Sequence, residues 1–219
     1  MKRLFTVFVK ITGFFPQLIC FRTKIYFENK KSQSRRIKGA AIIASNHTSV
    51  YDFAVYLSVF FRYIRCIMAE VLFKNKFMSW FLRSMGGIYV DRNKCDFGFF
   101  EEAEACLRKG GVVEIYPEGR LPLEGEERPL PFKTGAVRLA LDTGAPIIPV
   151  YTNGSYFAKE RARVIIGERF NAADYYDEEL SEKENVAKIS GILRQRIIEL
   201  KDLLDERTKT KKTKKSETV

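Results

Sequence analysis

Residues 39–52 read Gly-Ala-Ala-Ile-Ile-Ala-Ser-Asn-His-Thr-Ser-Val-Tyr-Asp, followed by Phe53-Ala-Val-Tyr-Leu-Ser-Val-Phe-Phe61. The first apolar run is short and made of small and β-branched residues, the composition of a buried strand. The second is longer and starts behind residues that cap helices, so it reads as a helix. Between them lie His47, the only histidine of the chain, and Asp52. A strand, a polar turn and a helix place both residues at a sheet-end turn, where α/β proteins keep their chemistry.

Working outward, the same alternation recurs. Strands are expected at Lys24–Glu28, Tyr63–Met68, Ile88–Asp91, Val112–Tyr116, Ala145–Tyr151 and Arg163–Gly167. Helices are expected at Asp96–Lys109, stopped by Gly110-Gly111, and at Thr134–Asp142, stopped by Gly144. Phe73, Phe77, Trp80 and Phe81 recur at helical spacing, a stripe that suits a core or a lipid-facing surface. Ser181-Glu-Lys-Glu184 is a capping-box pattern opening a helix with Val186, Ile189, Leu193, Ile197, Leu200 and Leu204 on one face. The prolines of 145–151 suggest an edge strand or a strand end. With no internal repeat and no linker, this alternation describes one α/β domain: a central mixed sheet flanked by helices.

The termini differ. Residues 1–21 are the most apolar segment, but Lys10, Gly13 and Pro16 interrupt the roughly 20 apolar residues a membrane span needs. Their aromatic and basic mix suits a broken, interface-seeking helix, the alternative being a helix packed on the domain. Residues 22–206 form the expected domain. Residues 207–219 are lysine-rich and are expected to form a disordered basic tail. The net charge is +11, which calls for a polyanionic partner, an anionic membrane surface or nucleic acid. No helix-turn-helix, zinc-finger or RNA-binding signature accompanies it. The four cysteines are widely spaced and form no Cys-x-x-Cys pair, so neither a zinc site nor a disulfide framework is expected, and a reducing, cytosol-facing location fits.

Two constellations carry chemistry. A neutral imidazole accepts a proton near neutral pH, and a neighbouring carboxylate fixes its tautomer, so His47 and Asp52 read as a base and its orienter. Ser49-Val-Tyr-Asp52 equally matches a capping box, in which Asp52 only satisfies backbone amides. Arg92 and Arg120 each follow a strand beside an acid and a glycine, a setting for gripping phosphate; local salt bridges explain them as well.

Four ordered blocks resemble a known family. Asn46-His47-Thr-Ser-Val-Tyr-Asp52, Gly86-Gly-Ile-Tyr-Val-Asp-Arg92, Tyr116-Pro-Glu-Gly-Arg-Leu-Pro122 and Ala145-Pro-Ile-Ile-Pro-Val150 are similar to the motifs of the 1-acyl-sn-glycerol-3-phosphate acyltransferases. The third departs from the family's Phe-Pro-Glu-Gly-Thr-Arg-Ser: Arg120 stands one position early, with no hydroxyl beside it. The resemblance implies transfer of a fatty acyl group from acyl-coenzyme A or acyl carrier protein to the sn-2 hydroxyl of 1-acyl-glycerol 3-phosphate, with no metal or other cofactor. Another lysophospholipid or glycerol 3-phosphate are alternative acceptors, and a non-enzymatic basic module is the reading from a different class. His47 and Asp52 would be catalytic. Arg92 and Arg120 would hold the phosphate, with Glu118 and Gly119 shaping the loop, and amides near Gly86 or Gly119 would receive the oxyanion. The expected partners are the lysophospholipid, the acyl donor and anionic lipid at the cytoplasmic face of a membrane, and no nucleic acid.

Overall fold

The computed structural model describes residues 2–91, 98–157 and 160–216, with the backbone alone described at 2–3, 14–18 and 210–216. The strands are β1 (Lys24–Phe27), β2 (Ala41–Ser45), β3 (Ile64–Ala69), β4 (Ile88–Val90), β5 (Val112–Ile115), β6 (Ile147–Thr152) and β7 (Arg163–Ile166). The helices are α1 (Lys2–Cys20), α2 (Asp52–Val59), α3 (Lys76–Ser84), α4 (Gly98–Arg108), α5 (Gly135–Thr143) and α6 (Glu182–Ser216). All seven strands join one mixed sheet in the order β1-β7-β6-β2-β5-β3-β4. The run from β6 to β4 is parallel, β7 is antiparallel to β6, and β1 is parallel to β7.

β2 lies between β6 and β5, and every one of its residues is buried. Alternation along it divides the core in two. Ile42 and Ala44 point to one face, where they meet Leu107 of α4, Val137 and Ala140 of α5, and Ile189 and Leu193 of α6. Ala41 and Ile43 point to the other, against Val55, Tyr56 and Val59 of α2. A parallel sheet covered on both faces explains why its strands read as unbroken apolar runs. Because β2, β3, β5 and β6 run in one direction, their C-terminal ends share one edge of the molecule, and the turn after β2 lies there.

Three expectations need correction. β6 is interior, between β7 and β2, not at an edge. Pro149 is tolerated because its carbonyl, and so its missing N–H, faces β7 just beyond that strand's last residue, where it accepts from Gly167 N at 2.8 Å. A Cβ on Gly167 would lie 2.8 Å from Pro149 Cγ, so only glycine lets the backbones approach. Second, α1 runs unbroken for 19 residues through Pro16, since a proline removes one intrahelical hydrogen bond without preventing continuation of the backbone. Third, the C-terminal residues continue α6 to Ser216. The lysines and arginine of 207–216 are good helix formers, and the long helix already anchored on the sheet carries them, with their three threonines, on in register. Residues 217–219 lie outside the described residues, as does the expected beginning of α4.

Other expectations hold in detail. The capping box opens α6, with Ser181 N donating to Glu184 Oε2 at 2.9 Å and Glu184 N to Ser181 Oγ at 3.3 Å. The apolar face of α6 from Val186 to Leu204 is buried. The aromatic stripe divides: Phe73 joins the core from a short turn at Glu70–Phe73, while Phe77 and Trp80 of α3 are exposed.

α1 packs on α2 and α3 with an inverted polarity. Thr6 is buried, and Lys10 Nζ turns inward to donate to the carbonyls of Phe60 (3.0 Å) and Arg62 (2.9 Å). Burial, and secondarily the Arg35 guanidinium, bring Lys10 down to about 8. Leu4, Phe8 and Ile11 form an exposed stripe instead. Among the described residues no helix is long and apolar enough to cross a membrane.

Candidate active site

The turn after β2 is held from three sides. Asn46 pairs with the backbone of Thr152 like an added strand residue: Nδ2 donates to its carbonyl at 2.9 Å and Oδ1 accepts from its amide at 2.8 Å. That ties the tip of β2 to the tip of β6. His47 N donates to Glu118 Oε1 at 2.8 Å, and Leu130 N to Glu118 Oε2 at 3.0 Å, so the buried Glu118 fastens the turn to the segments after β5. Burial pushes the Glu118 carboxyl up, while the two amides pull it back. The third restraint is α2 itself, whose C-terminal carbonyls receive Arg35 Nε at Val59 O (2.7 Å) and Lys10 at Phe60 O.

Asp52, the first residue of α2, is fully buried and receives five donors. Oδ2 accepts from His47 Nδ1 (2.8 Å), Thr48 N (2.7 Å) and Ser49 N (3.0 Å); Oδ1 accepts from Thr48 Oγ1 (2.7 Å) and Tyr156 OH (2.6 Å). Asp52 thus satisfies turn amides, including Ser49 N as in a capping box, while the reciprocal side-chain cap is absent because Asp52 N donates to Ser49 O, and the same carboxylate also holds His47 Nδ1. With Nδ1 donating to a carboxylate, the imidazole presents Nε2 as its free lone pair. The ring stacks on Tyr116 with centroids 4.3 Å apart at 21°.

Behind this stack lies a polar floor. Tyr116 OH donates to Glu114 Oε1, and Tyr56 OH is hydrogen-bonded to Ser45 Oγ. Glu114 is fully buried in strand β5, and among the described residues its Oε2 has no hydrogen-bond partner by distance. Burial raises its carboxyl to about 8, partly offset by the Tyr116 hydroxyl.

His47 faces a cavity of about 470 Å³ at the C-terminal ends of β2, β3 and β5. Its wall is largely apolar, with Phe53, Ile67, Met68, Leu72, Leu82 and Ile115 among the lining residues, and Gly119 and Leu121 on the side of the loop after β5. Val50, Tyr51, Val71 and Met78 line it and are exposed, which marks its mouth. A base at the end of a slot lined by aliphatic side chains suits a reactant with a long hydrocarbon chain.

The remaining candidates are placed less simply. Arg120 is at the surface and forks onto Glu126, with Nη1–Oε2 at 2.7 Å and Nη2–Oε1 at 2.6 Å. That pairing pulls the Glu126 carboxyl down to about 2. A free phosphate grip at Arg120 is thus not what the loop presents. Arg92 lies outside the described residues. Gly119, at φ 71°, closes a turn in which its own amide donates to Tyr116 O at 3.0 Å. Gly86 packs against Tyr63 and Ile64, at the start of β3 and so at the opposite end of the sheet from His47, with its amide bonded to Arg83 O. Neither glycine amide is left for an oxyanion. Tyr116 opens the third block, but nothing in the sequence assigns it a role, and Glu114 and Tyr156 have no sequence signal of their own, because these contacts depend on which loops meet.

A family model described as Acyltransferase matches residues 24–153, which contain every residue of the cluster around His47 except Tyr156. A 1-acyl-sn-glycerol-3-phosphate acyltransferase of Bacillus subtilis (strain 168) is 30% identical over 171 residues, covering 75% of this chain and 83% of that protein. The chain belongs to the 1-acyl-sn-glycerol-3-phosphate acyltransferase family. As a member of that family it is an acyltransferase, which sets aside the non-enzymatic reading. The 1-acyl-sn-glycerol-3-phosphate acyltransferase beta of Homo sapiens is 28% identical over 155 residues, and the match spans 68% of this chain but about half, 54%, of that protein. The crystal structure of the 1-acyl-sn-glycerophosphate (LPA) acyltransferase PlsC from Thermotoga maritima superposes with a TM-score of 0.61 at 18% identity, over 92% of this chain and 98% of the other. That likeness is one of fold. In this acyltransferase the four blocks read from sequence fall in or beside β2, β4, β5 and β6, strands of one sheet.

Proposed function

We propose that the enzyme transfers a fatty acyl group from an acyl thioester to the sn-2 hydroxyl of 1-acyl-glycerol 3-phosphate, giving phosphatidic acid for phospholipid synthesis. The observation that carries this reading is the 2.8 Å Nδ1–Oδ2 hydrogen bond between His47 and Asp52 beside the aliphatic cavity. His47 Nε2 removes the proton of the acceptor hydroxyl as its oxygen attacks the thioester carbonyl. The new C–O bond forms, the C–S bond breaks, and the imidazolium returns the proton to the departing thiol. Asp52 steadies the imidazolium, and Tyr116 holds the ring in plane from its other face. No covalent acyl-enzyme is needed, and the chain's own groups supply the acid–base chemistry without a cofactor. Acyl-coenzyme A and acyl carrier protein both satisfy the chemistry as donor.

Gripping the acceptor's phosphate at a fixed place would present its hydroxyl to His47, a proximity effect. Arg92 is retained as a phosphate ligand in this proposal. The ion pair of Arg120 with Glu126 favours, as a second reading, an acceptor with a different head group. We place the enzyme at the cytoplasmic face of a membrane, supported by the exposed apolar stripe of α1, the net charge of +11, and the free thiols of Cys20, Cys66 and Cys106.

The test is acyl transfer to lysophosphatidate, followed with both donors. His47→Ala should lower kcat by about 10²- to 10⁴-fold, the usual weight of a general base, with the fold retained. Equal turnover by wild type and variant would remove His47 from the chemistry.

A further inference from the structure

Among the described residues, no lysine or arginine lines the cavity that His47 faces. A cation for an anionic head group is found, among the described residues, beside the cavity rather than in its wall, and the Gly119 side has an unassigned one. Lys133 follows the long loop after β5, and its backbone is fastened there: Lys133 N donates to Pro117 O at 2.8 Å, and nearby Leu130 N is held by Glu118, the same carboxylate that holds His47 N. Its side chain lies directly over Gly119. A Cβ built on Gly119 would stand 2.8 Å from Lys133 Cε and 3.1 Å from Nζ. The glycine is required for its positive φ of 71°, and the lysine stem fills the space that its missing side chain leaves. Lys133 is exposed and, among the described residues, its ammonium has no carboxylate and no hydrogen-bond acceptor. Arg120, one residue beyond Gly119, is in the opposite condition, with its fork filled by Glu126.

We infer that Lys133, seated on Gly119, is the cation of this loop that binds the acceptor's phosphate, and that Arg120 serves to lock the loop through Glu126. The inference rests on the phosphate-bearing acceptor of the proposed function. An ammonium on a flexible stem meets a phosphate as a point charge, without the paired geometry an arginine fork demands. The altered spacing of the third block is then explained: the arginine has moved to a structural ion pair, and a lysine from the far end of the loop supplies the charge. Through Glu118, the position of that charge is coupled to the backbone of His47.

Lys133→Met, Lys133→Arg, Arg120→Met and, as a control for lost charge, Lys109→Met at the opposite end of β5 should be assayed with lysophosphatidate as the varied substrate. Lys133→Met is expected to raise KM about 10- to 100-fold, the weight of a charge-assisted hydrogen bond, with kcat within about threefold. Lys133→Arg should recover most of the loss, and Arg120→Met should move KM less than Lys133→Met does. An unchanged KM in Lys133→Met, or a larger rise in Arg120→Met, overturns the assignment. A loss equal to that of Lys109→Met does so as well. If wild type moves no acyl group to lysophosphatidate, the acceptor reading fails. Calorimetric titration with glycerol 3-phosphate then decides the lysine separately, since equal affinity in wild type and Lys133→Met overturns it and a loss confined to Lys133→Met upholds it.

Discussion

His47 and Asp52 are five residues apart, and local rules alone leave Asp52 divided between capping and catalysis. In the structure Oδ2 takes the amides of Thr48 and Ser49 together with His47 Nδ1, and Oδ1 takes two hydroxyls, so one carboxylate meets the geometry of both readings at once. A carboxylate fixed by backbone amides cannot turn away from the imidazole, which is the geometric requirement of an orienter. Glu114 poses the opposite case, an acid inside the sheet with one oxygen that finds no hydrogen-bond partner among the described residues. Its carboxyl is raised from 4.5 to about 8, chiefly by burial. The unfolded chain therefore ionises this group first, and the protein loses stability as pH rises through the window between those values. Glu114→Gln removes the titration and keeps an acceptor for Tyr116. Urea unfolding at pH 5 and pH 8.5 should show the variant gaining on wild type by up to about 1.4 kcal/mol per pH unit inside that window. Parallel stability curves for the two proteins would show that Glu114 titrates at an ordinary value.

At the scale of elements, the strands and their helices are legible because a sheet covered on both faces requires apolar runs of fixed length, punctuated at Gly110-Gly111 and Gly144. What is not legible is the meeting of distant segments. Pro149 reads as an edge signal because the sequence does not state that β7 ends at Ile166, one residue before Gly167, which lies opposite the missing N–H. Tyr156 and Lys133 reach the site from loops more than 80 residues after His47, and no periodicity marks them. Glu118 stands inside a motif, yet its task as the tie between two loops is visible only when His47 N and Leu130 N are found on its two oxygens. Glu118→Gln tests that task. It replaces one acceptor by an NH₂ group facing an N–H donor in a buried site, at a cost of about 1–3 kcal/mol. Urea unfolding should register that cost, and kcat should fall at least tenfold as the turn carrying His47 loosens. A variant as stable and as fast as wild type would mean that the loops hold each other without the carboxylate.

At the scale of the whole molecule, part of the exposed apolar surface gathers on α1 and α3. Phe5 of α1 stands edge-on to Trp80 and Phe81 of α3, at 5.5 and 6.0 Å between ring centroids. Phe77 and Trp80 are 69% and 56% exposed, and the stripe Leu4, Phe8 and Ile11 runs along α1 beside them. Met78, on the same helix as Trp80, lines the cavity mouth. Apolar area of this kind, on a chain with net charge +11, fits a bilayer with anionic head groups, because charge attracts from a distance while aromatic side chains insert locally. The two contributions separate with salt, since screening at high ionic strength removes the long-range attraction and leaves the inserted area. Wild type should co-sediment with vesicles containing phosphatidylglycerol, more weakly but still measurably at 0.5 M salt (a Debye length of about 4 Å). The double variant Phe77→Ser, Trp80→Ser should lose the salt-resistant part and keep the salt-sensitive part. Its turnover of a short-chain, water-soluble acceptor should match wild type, because neither residue lines the cavity. Salt-resistant binding that survives in the double variant would move the inserted surface away from α3 and onto α1 alone.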